Sequence, residues 1–131
     1  MELKEQKFGI EIEMTGITRA KAAEVTAGYF GTRVKYLGTY YDTYAAIDTE
    51  GRQWKFMSDS SITAQQKLNG RKISAGREYQ TEMVSPICRY EDIVTIQEII
   101  RKLKEYGALT NGSCGIHVHI NAEPFDARTL R

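Results

Sequence analysis

The feature that most constrains this chain is a pair of short segments, one near each end, whose residues alternate with period two. In Ile116-His117-Val118-His119-Ile120, histidines and aliphatic residues take turns; in Phe8-Gly9-Ile10-Glu11-Ile12-Glu13-Met14, glutamates do the same. Successive side chains on a β-strand point to opposite faces, so each segment is predicted to be a strand with one apolar face and one ligand-bearing face. His117 and His119 share a face opposite Ile116, Val118 and Ile120, and Glu11 and Glu13 share one opposite Ile10, Ile12 and Met14. The two histidines are the only ones in the chain. Carboxylates and imidazoles projected from strands are the side chains that hold divalent cations. The same alternation also describes a sheet with one wetted face, and exposed glutamates are ordinary. Two clustered histidines are harder to explain by solvation alone. Neither pair by itself fixes a metal or a reaction.

Composition narrows the function classes. A chain of 131 residues suits one domain with a real core, and 41% hydrophobic against 27% charged residues is a folded rather than a disordered balance. Eighteen basic residues face 17 acidic ones, a net charge of +1, and they are scattered along the chain. A nucleic-acid partner is therefore not indicated. No stretch has the apolar length of a membrane span, and the first residues lack the apolar run of a signal peptide. Cys88 and Cys114 form no Cys-x-x-Cys pair, so a disulfide framework or thiolate zinc site is unsupported. The cytoplasm is the expected compartment.

Between the two alternating segments, Thr18 reads as the N-cap of a helix over residues 19–30, with Gly31 as its stop. Residues 34–37, 44–48 and 53–58 read as short strands, the last two joined by a turn at Thr49-Glu50-Gly51-Arg52. In the third strand Trp54, Phe56 and Ser58 point one way, and Gln53, Lys55, Met57 and Asp59 the other. Residues 64–76 read as a loop or irregular excursion. A strand follows over 78–85, with Glu82 and Val84 on one face, and Pro86 ends it. From Tyr90 the period becomes helical to about residue 106, with Ile93, Ile96, Ile100 and Leu103 as its stripe, Ile99 broadening it and Gly107 as the stop. Residues 124–131 look like the opening of another helix. Strands paired antiparallel with helices on one face make an α+β fold.

Four motifs now stand in order: Gly9-Ile-Glu-Ile-Glu13, Trp54-Lys-Phe-Met-Ser-Asp-Ser-Ser-Ile62, Glu82-Met-Val-Ser-Pro86 and Cys114-Gly-Ile-His-Val-His119. Together they resemble the amidoligase family, grouped with glutamine synthetase and glutamate–cysteine ligase among the carboxylate–amine ligases. The run from Asn111 to His119 is also similar to the corresponding strand of glutamine synthetases. The resemblance implies an antiparallel sheet curled as a half-barrel, with helices on its convex face and the site on its concave face. It implies ATP and Mg2+ as cofactors, phosphorylation of a carboxylate, and displacement of phosphate from the acyl phosphate by an amine.

Position by position, the resemblance makes Glu11, Glu13, Glu82 and His117 metal ligands. It places His119 near the ATP phosphates, where Lys55 is a further candidate contact, and it assigns Asp59 and Ser61 to the catalytic Asp-x-Ser element. Family members are roughly twice this long, so residues 1–131 are expected to be a single amidoligase-like domain forming the N-terminal half of a longer one. Further strands and phosphate-clamping arginines would come from the other half. An open sheet edge is then expected to pair with a partner chain or a second copy, and the isolated fragment to turn over little. Two rival functions stay open at this level. One is a metal-dependent hydrolase built on the same residues, and the other is a non-catalytic ligase-like binding module. The residues do not name the carboxylate or the amine.

Overall fold

A computed structural model describes residues 6–121. In chain order the elements are β1 (Lys7–Met14), α1 (Arg19–Phe30), β2 (Val34–Gly38), β3 (Thr43–Ile47), β4 (Gln53–Met57), β5 (Gln65–Leu68), β6 (Arg71–Ser74), a single 3-10 turn (Arg77–Tyr79), β7 (Thr81–Val84), α2 (Asp92–Glu105) and β8 (Ile116–Asn121). Six strands form one sheet in the order β2-β3-β4-β7-β1-β8, and β5 pairs with β6 in a separate hairpin. Every pairing is antiparallel. The sheet is open, with β2 and β8 at its edges. The fold is α+β, as expected, with an antiparallel sheet, two helices and no closed barrel among the described residues.

The first and last alternating segments become neighbours, β1 lying between β7 and β8. One face of the sheet supplies Ile12, Met14, Trp54, Phe56 and Met83 to the core, where they meet Ala22, Ala23 and Ala27 of α1 and Ile96, Ile99 and Leu103 of α2. The small residues of α1 let it lie close on β3 and β4. Its ends follow local chemistry: Thr18 Oγ1 accepts the Lys21 N–H, and Gly31 stops the helix in the left-handed region at φ 72°. A short hydrogen bond from the Tyr29 hydroxyl to Glu98 ties α1 to α2.

Three expectations are corrected. Residues 64–76 are not irregular; they hold the β5–β6 hairpin, turned by Asn69 at φ 52° and Gly70 at φ 78°. Asn-Gly suits the mirror-image turns that hairpins prefer, but the polar strands around it hid the signal. The strand expected over 78–85 is shorter, because the chain first makes a 3-10 turn at Arg77–Tyr79. Finally, the α2 stripe holds except at its start: Ile96, Ile99 and Leu103 are buried and Ile100 packs on the core, while Ile93 is 37% exposed. Ile93 is left at the rim of an apolar groove with Phe8, Ile10, Tyr90, Val118 and Ile120. The helix start read at 124–131 lies outside the described residues. No helix among the described residues is long and apolar enough to cross a membrane.

Candidate functional site

Strand register decides which side chains share the face turned away from the helices. Glu13 stands opposite Glu82, and Glu11 lies between Val84 on one side and His117 on the other. His119 faces Gly9, and Met57 faces Glu82 across the β4–β7 pair. Residues directly opposite across a ladder project to the same side. Glu11, Glu13, Glu82, His117 and His119 therefore lie on one face, as the alternation required. Asp59 joins them from the segment that follows β4.

Within this set the structure brings together two groups. One carboxylate oxygen from each of Glu13, Asp59 and Glu82 lies within 4.8 Å of the others. Beside them, Glu11 sits 3.9 Å from His117 Nδ1 and 3.4 Å from His119 Nε2. Glu13 is buried and its Oε1 accepts the Gly115 N–H at 2.8 Å. The glycine-rich turn before β8 thus serves the site through its backbone, a contact no side-chain pattern could reveal. Asp59 is held by its own turn, its Oδ1 accepting both the N–H and the hydroxyl of Ser61. Ser61 orients Asp59 and is itself exposed. Lys55 faces the same side, opposite Val84, but is half-buried and makes no hydrogen bond or ion pair among the described residues.

Crowding of carboxylates is visible in their protonation. Burial pushes Glu82 up to about 7, and the charges of Glu11, Asp59 and Glu13 add to the push against a small opposing effect of His117. Burial and a hydrogen bond to Asp59 also raise Glu13, only partly offset by the Gly115 N–H. Asp59 moves the other way. Burial works against its ionisation, but the Ser61 hydrogen bonds, the bond from Glu13 and the nearby His117 outweigh it. The three residues cannot all be charged comfortably without a cation between them. Their oxygens are the hard ligands that Mg2+ or Ca2+ takes, so the donor set fits such an ion.

Next to this group an open cavity of about 700 Å3 reaches from Asp59 and Glu82 to Tyr40, Tyr41, Met57 and Arg77. Arg19 underlies it. Its side chain is 10% exposed and bonds Asp42 through Nε and Nη2, while Nη1 donates to the carbonyls of Arg77 and Gln80. None of Arg19, Tyr40, Tyr41 and Arg77 stood out in the sequence, because each acts from a loop or over a long separation.

The fold and the site define an α+β protein that carries a carboxylate and imidazole cluster on the open face of an antiparallel sheet. A sequence model of the family described as "Putative amidoligase enzyme" matches residues 4–131, and the chain belongs to that family. The family's description points to a ligase-type function. No curated protein and no solved structure matches the chain.

Proposed function

We propose that this domain is the metal- and nucleotide-binding part of an ATP- and Mg2+-dependent carboxylate–amine ligase, one that forms an amide or isopeptide bond through an acyl phosphate. The observation that carries the reading is the approach of Glu13, Asp59 and Glu82 to within 4.8 Å on the open sheet face of a chain from the amidoligase family. On this reading Glu13, Asp59 and Glu82 hold the cation, with Glu11 and His117 at its side. His119 and Lys55 face the phosphates, and Ser61 keeps Asp59 ionised. The cation supplies charge neutralisation for phosphoryl transfer from ATP to the substrate carboxylate. A carboxylate oxygen displaces ADP from the γ-phosphorus; the amine then attacks the acyl carbon and releases phosphate. The chain's residues contribute position and charge, which is what this transfer chiefly demands. The reading also takes the sheet as part of an antiparallel half-barrel with the helices on its convex side.

Manganese, whose paramagnetism reports binding directly, tests this reading. The protein should bind Mn2+, competed by Mg2+, and ATP should tighten that binding. Asp59→Asn and Glu82→Gln should each remove the site without unfolding the chain. Mn2+ binding that ignores ATP, accompanied by hydrolysis of simple esters or amides, would favour the metal-dependent hydrolase instead. No Mn2+ binding at all would overturn both.

A further inference from the structure

The cavity beside the carboxylates has features the cation reading does not use. We infer that it receives the body of the carboxylate substrate, and that this body is planar and aromatic, seated on Tyr40 and Tyr41 with Arg77 as its cationic neighbour. The inference rests on the ligase reading in one respect, that the reacting carboxylate lies at the Asp59–Glu82 end of the cavity.

Position comes first. His117 and His119 stand on β8, on the far side of β1 from β7, whereas the cavity opens on the β4 side of the same carboxylates. The two flanks of the cluster are thus chemically different, one imidazole-lined and one aromatic. The aromatic flank has the volume of an organic-ligand site, typically about 300–1,000 Å3.

The tip of the β2–β3 hairpin supplies the second argument. Tyr40 is 94% exposed and Tyr41 51%, so neither ring contributes to the core. Yet the backbone that carries them is held in an uncommon shape, with Thr39 at φ 63° and Asp42 at φ 51°, left-handed values that non-glycine residues seldom adopt. Several bonds enforce it. Asp42 accepts from Arg19 and, at 2.7 Å, from the Tyr36 hydroxyl; Tyr41 N donates to Thr39 Oγ1 at 3.1 Å; and Ser58 N donates to Tyr41 O at 2.9 Å. Such strain persists where surroundings over-determine it, commonly at ligand clamps. Here it presents two rings, 5.4 Å apart and edge to face, on a rigid support.

Arg19 completes the support. One end of its guanidinium holds the tip through Asp42, and the other holds the opposite wall through the carbonyls of Arg77 and Gln80. The spacing between the tyrosines and Arg77 is therefore fixed from beneath. A flat body meets ring faces and the Met57 side chain, both suited to aromatic contact. Arg77 adds a guanidinium that can stack on such a body or pair with an anionic substituent. An aliphatic acid would leave the rings without a partner.

Saturation-transfer NMR with two simple acids, 3-phenylpropionate and hexanoate, in the presence of Mg2+ tests this. The ring protons of 3-phenylpropionate should receive the strongest transfer, and hexanoate should bind more weakly. Tyr40→Ala should weaken phenylpropionate about three- to tenfold and leave hexanoate unchanged. Arg77→Gln should weaken phenylpropionate without altering Mn2+ binding. Tyr40 is exposed, so its variant should melt as the parent does. Hexanoate binding as tightly as phenylpropionate, or ring signals indifferent to Tyr40→Ala, would overturn the inference. The ligase reading is scored separately. If Mn2+ binding fails while ring transfer still depends on Tyr40, the cavity stands and the cation site does not; intact Mn2+ binding with no dependence on Tyr40 sinks the cavity alone.

Discussion

Ser61 donates to a single oxygen of Asp59 twice, from its N–H at 2.9 Å and from its hydroxyl at 2.7 Å. That pair of bonds keeps Asp59 ionised where burial pushes Glu13 and Glu82 toward protonation. Ser61→Ala removes one bond and keeps the other. We expect it to weaken Mn2+ binding by about tenfold, as loss of a ligand-orienting group commonly does, and Asp59→Asn to abolish it. Equal affinity in Ser61→Ala and the parent, read by electron paramagnetic resonance, would remove any orienting role from the hydroxyl. Residues of this site were legible to different degrees. Glu11, Glu13, Glu82, His117 and His119 could be assigned a common face because strands repeat with period two. Asp59 falls on the Lys55 and Met57 face when the alternation of β4 is extended past its end, but the role of Asp59 and of Ser61 rests on the family motif alone. Arg19 and Asp42, 23 positions apart, gave no local signal at all.

Elements whose ends are set by short-range chemistry were read well. Helix α1 runs over the expected residues because Thr18 and Gly31 cap it, and β1 and β8 carry their alternation openly. Helix α2 lies where its period predicts and buries Ile96, Ile99 and Leu103; only Ile93 departs, since periodicity gives a stripe and not how far the core reaches along it. The β5–β6 hairpin was missed because its strands, Gln65–Leu68 and Arg71–Ser74, are largely polar and half-buried or exposed. The exposure of Ile93 leads to a direct comparison. Ile99 is fully buried and Ile93 is not. Ile99→Ala should cost about 2–4 kcal/mol, as truncation of a packed isoleucine does, and Ile93→Ala well under half of that. Denaturant melts of the two variants decide it, and equal losses would mean that Ile93 is packed as tightly as Ile99. Ile96 is also buried, so Ile96→Asp should place an unpaired charge in the core and cost several kcal/mol.

At the scale of the whole molecule, two sets of carboxylates pull stability in opposite directions as pH changes. One set ties the β3–β4 turn to α2: Arg52 bonds Asp48 at 2.8 Å and Asp92 at 2.9 Å, and the Trp54 indole N–H donates to Asp48 at 3.0 Å. Burial opposes ionisation of Asp48, but the bonds from Trp54 and from the N–H groups of Arg52 and Glu50 outweigh it and lower its pKa. Asp92 is lowered chiefly by its hydrogen bond to Arg52. Acids lowered on folding contribute stability that is present above their unfolded values, near 3.8, and that is lost as pH falls through the folded ones. Glu82 is the reverse. Its folded value of about 7 stands above the ordinary 4.5, so between these values the folded state holds a proton that the unfolded state has released, and stability falls as pH rises. The metal-free protein should therefore be most stable at about pH 4, lose stability as pH rises from there to about 7, and lose it again on the acid side. Glu82→Gln should remove most of the decline above that optimum, Glu13 being raised as well, while leaving the acid limb to which Asp48 and Asp92 contribute. Millimolar Mg2+ should raise the melting temperature at about pH 8 and do little at about pH 5, because a cation stabilises only the state whose ligands are ionised. Thermal melts across this range, with and without Mg2+, measure all three effects. A decline that survives undiminished in Glu82→Gln would place its origin elsewhere than Glu82.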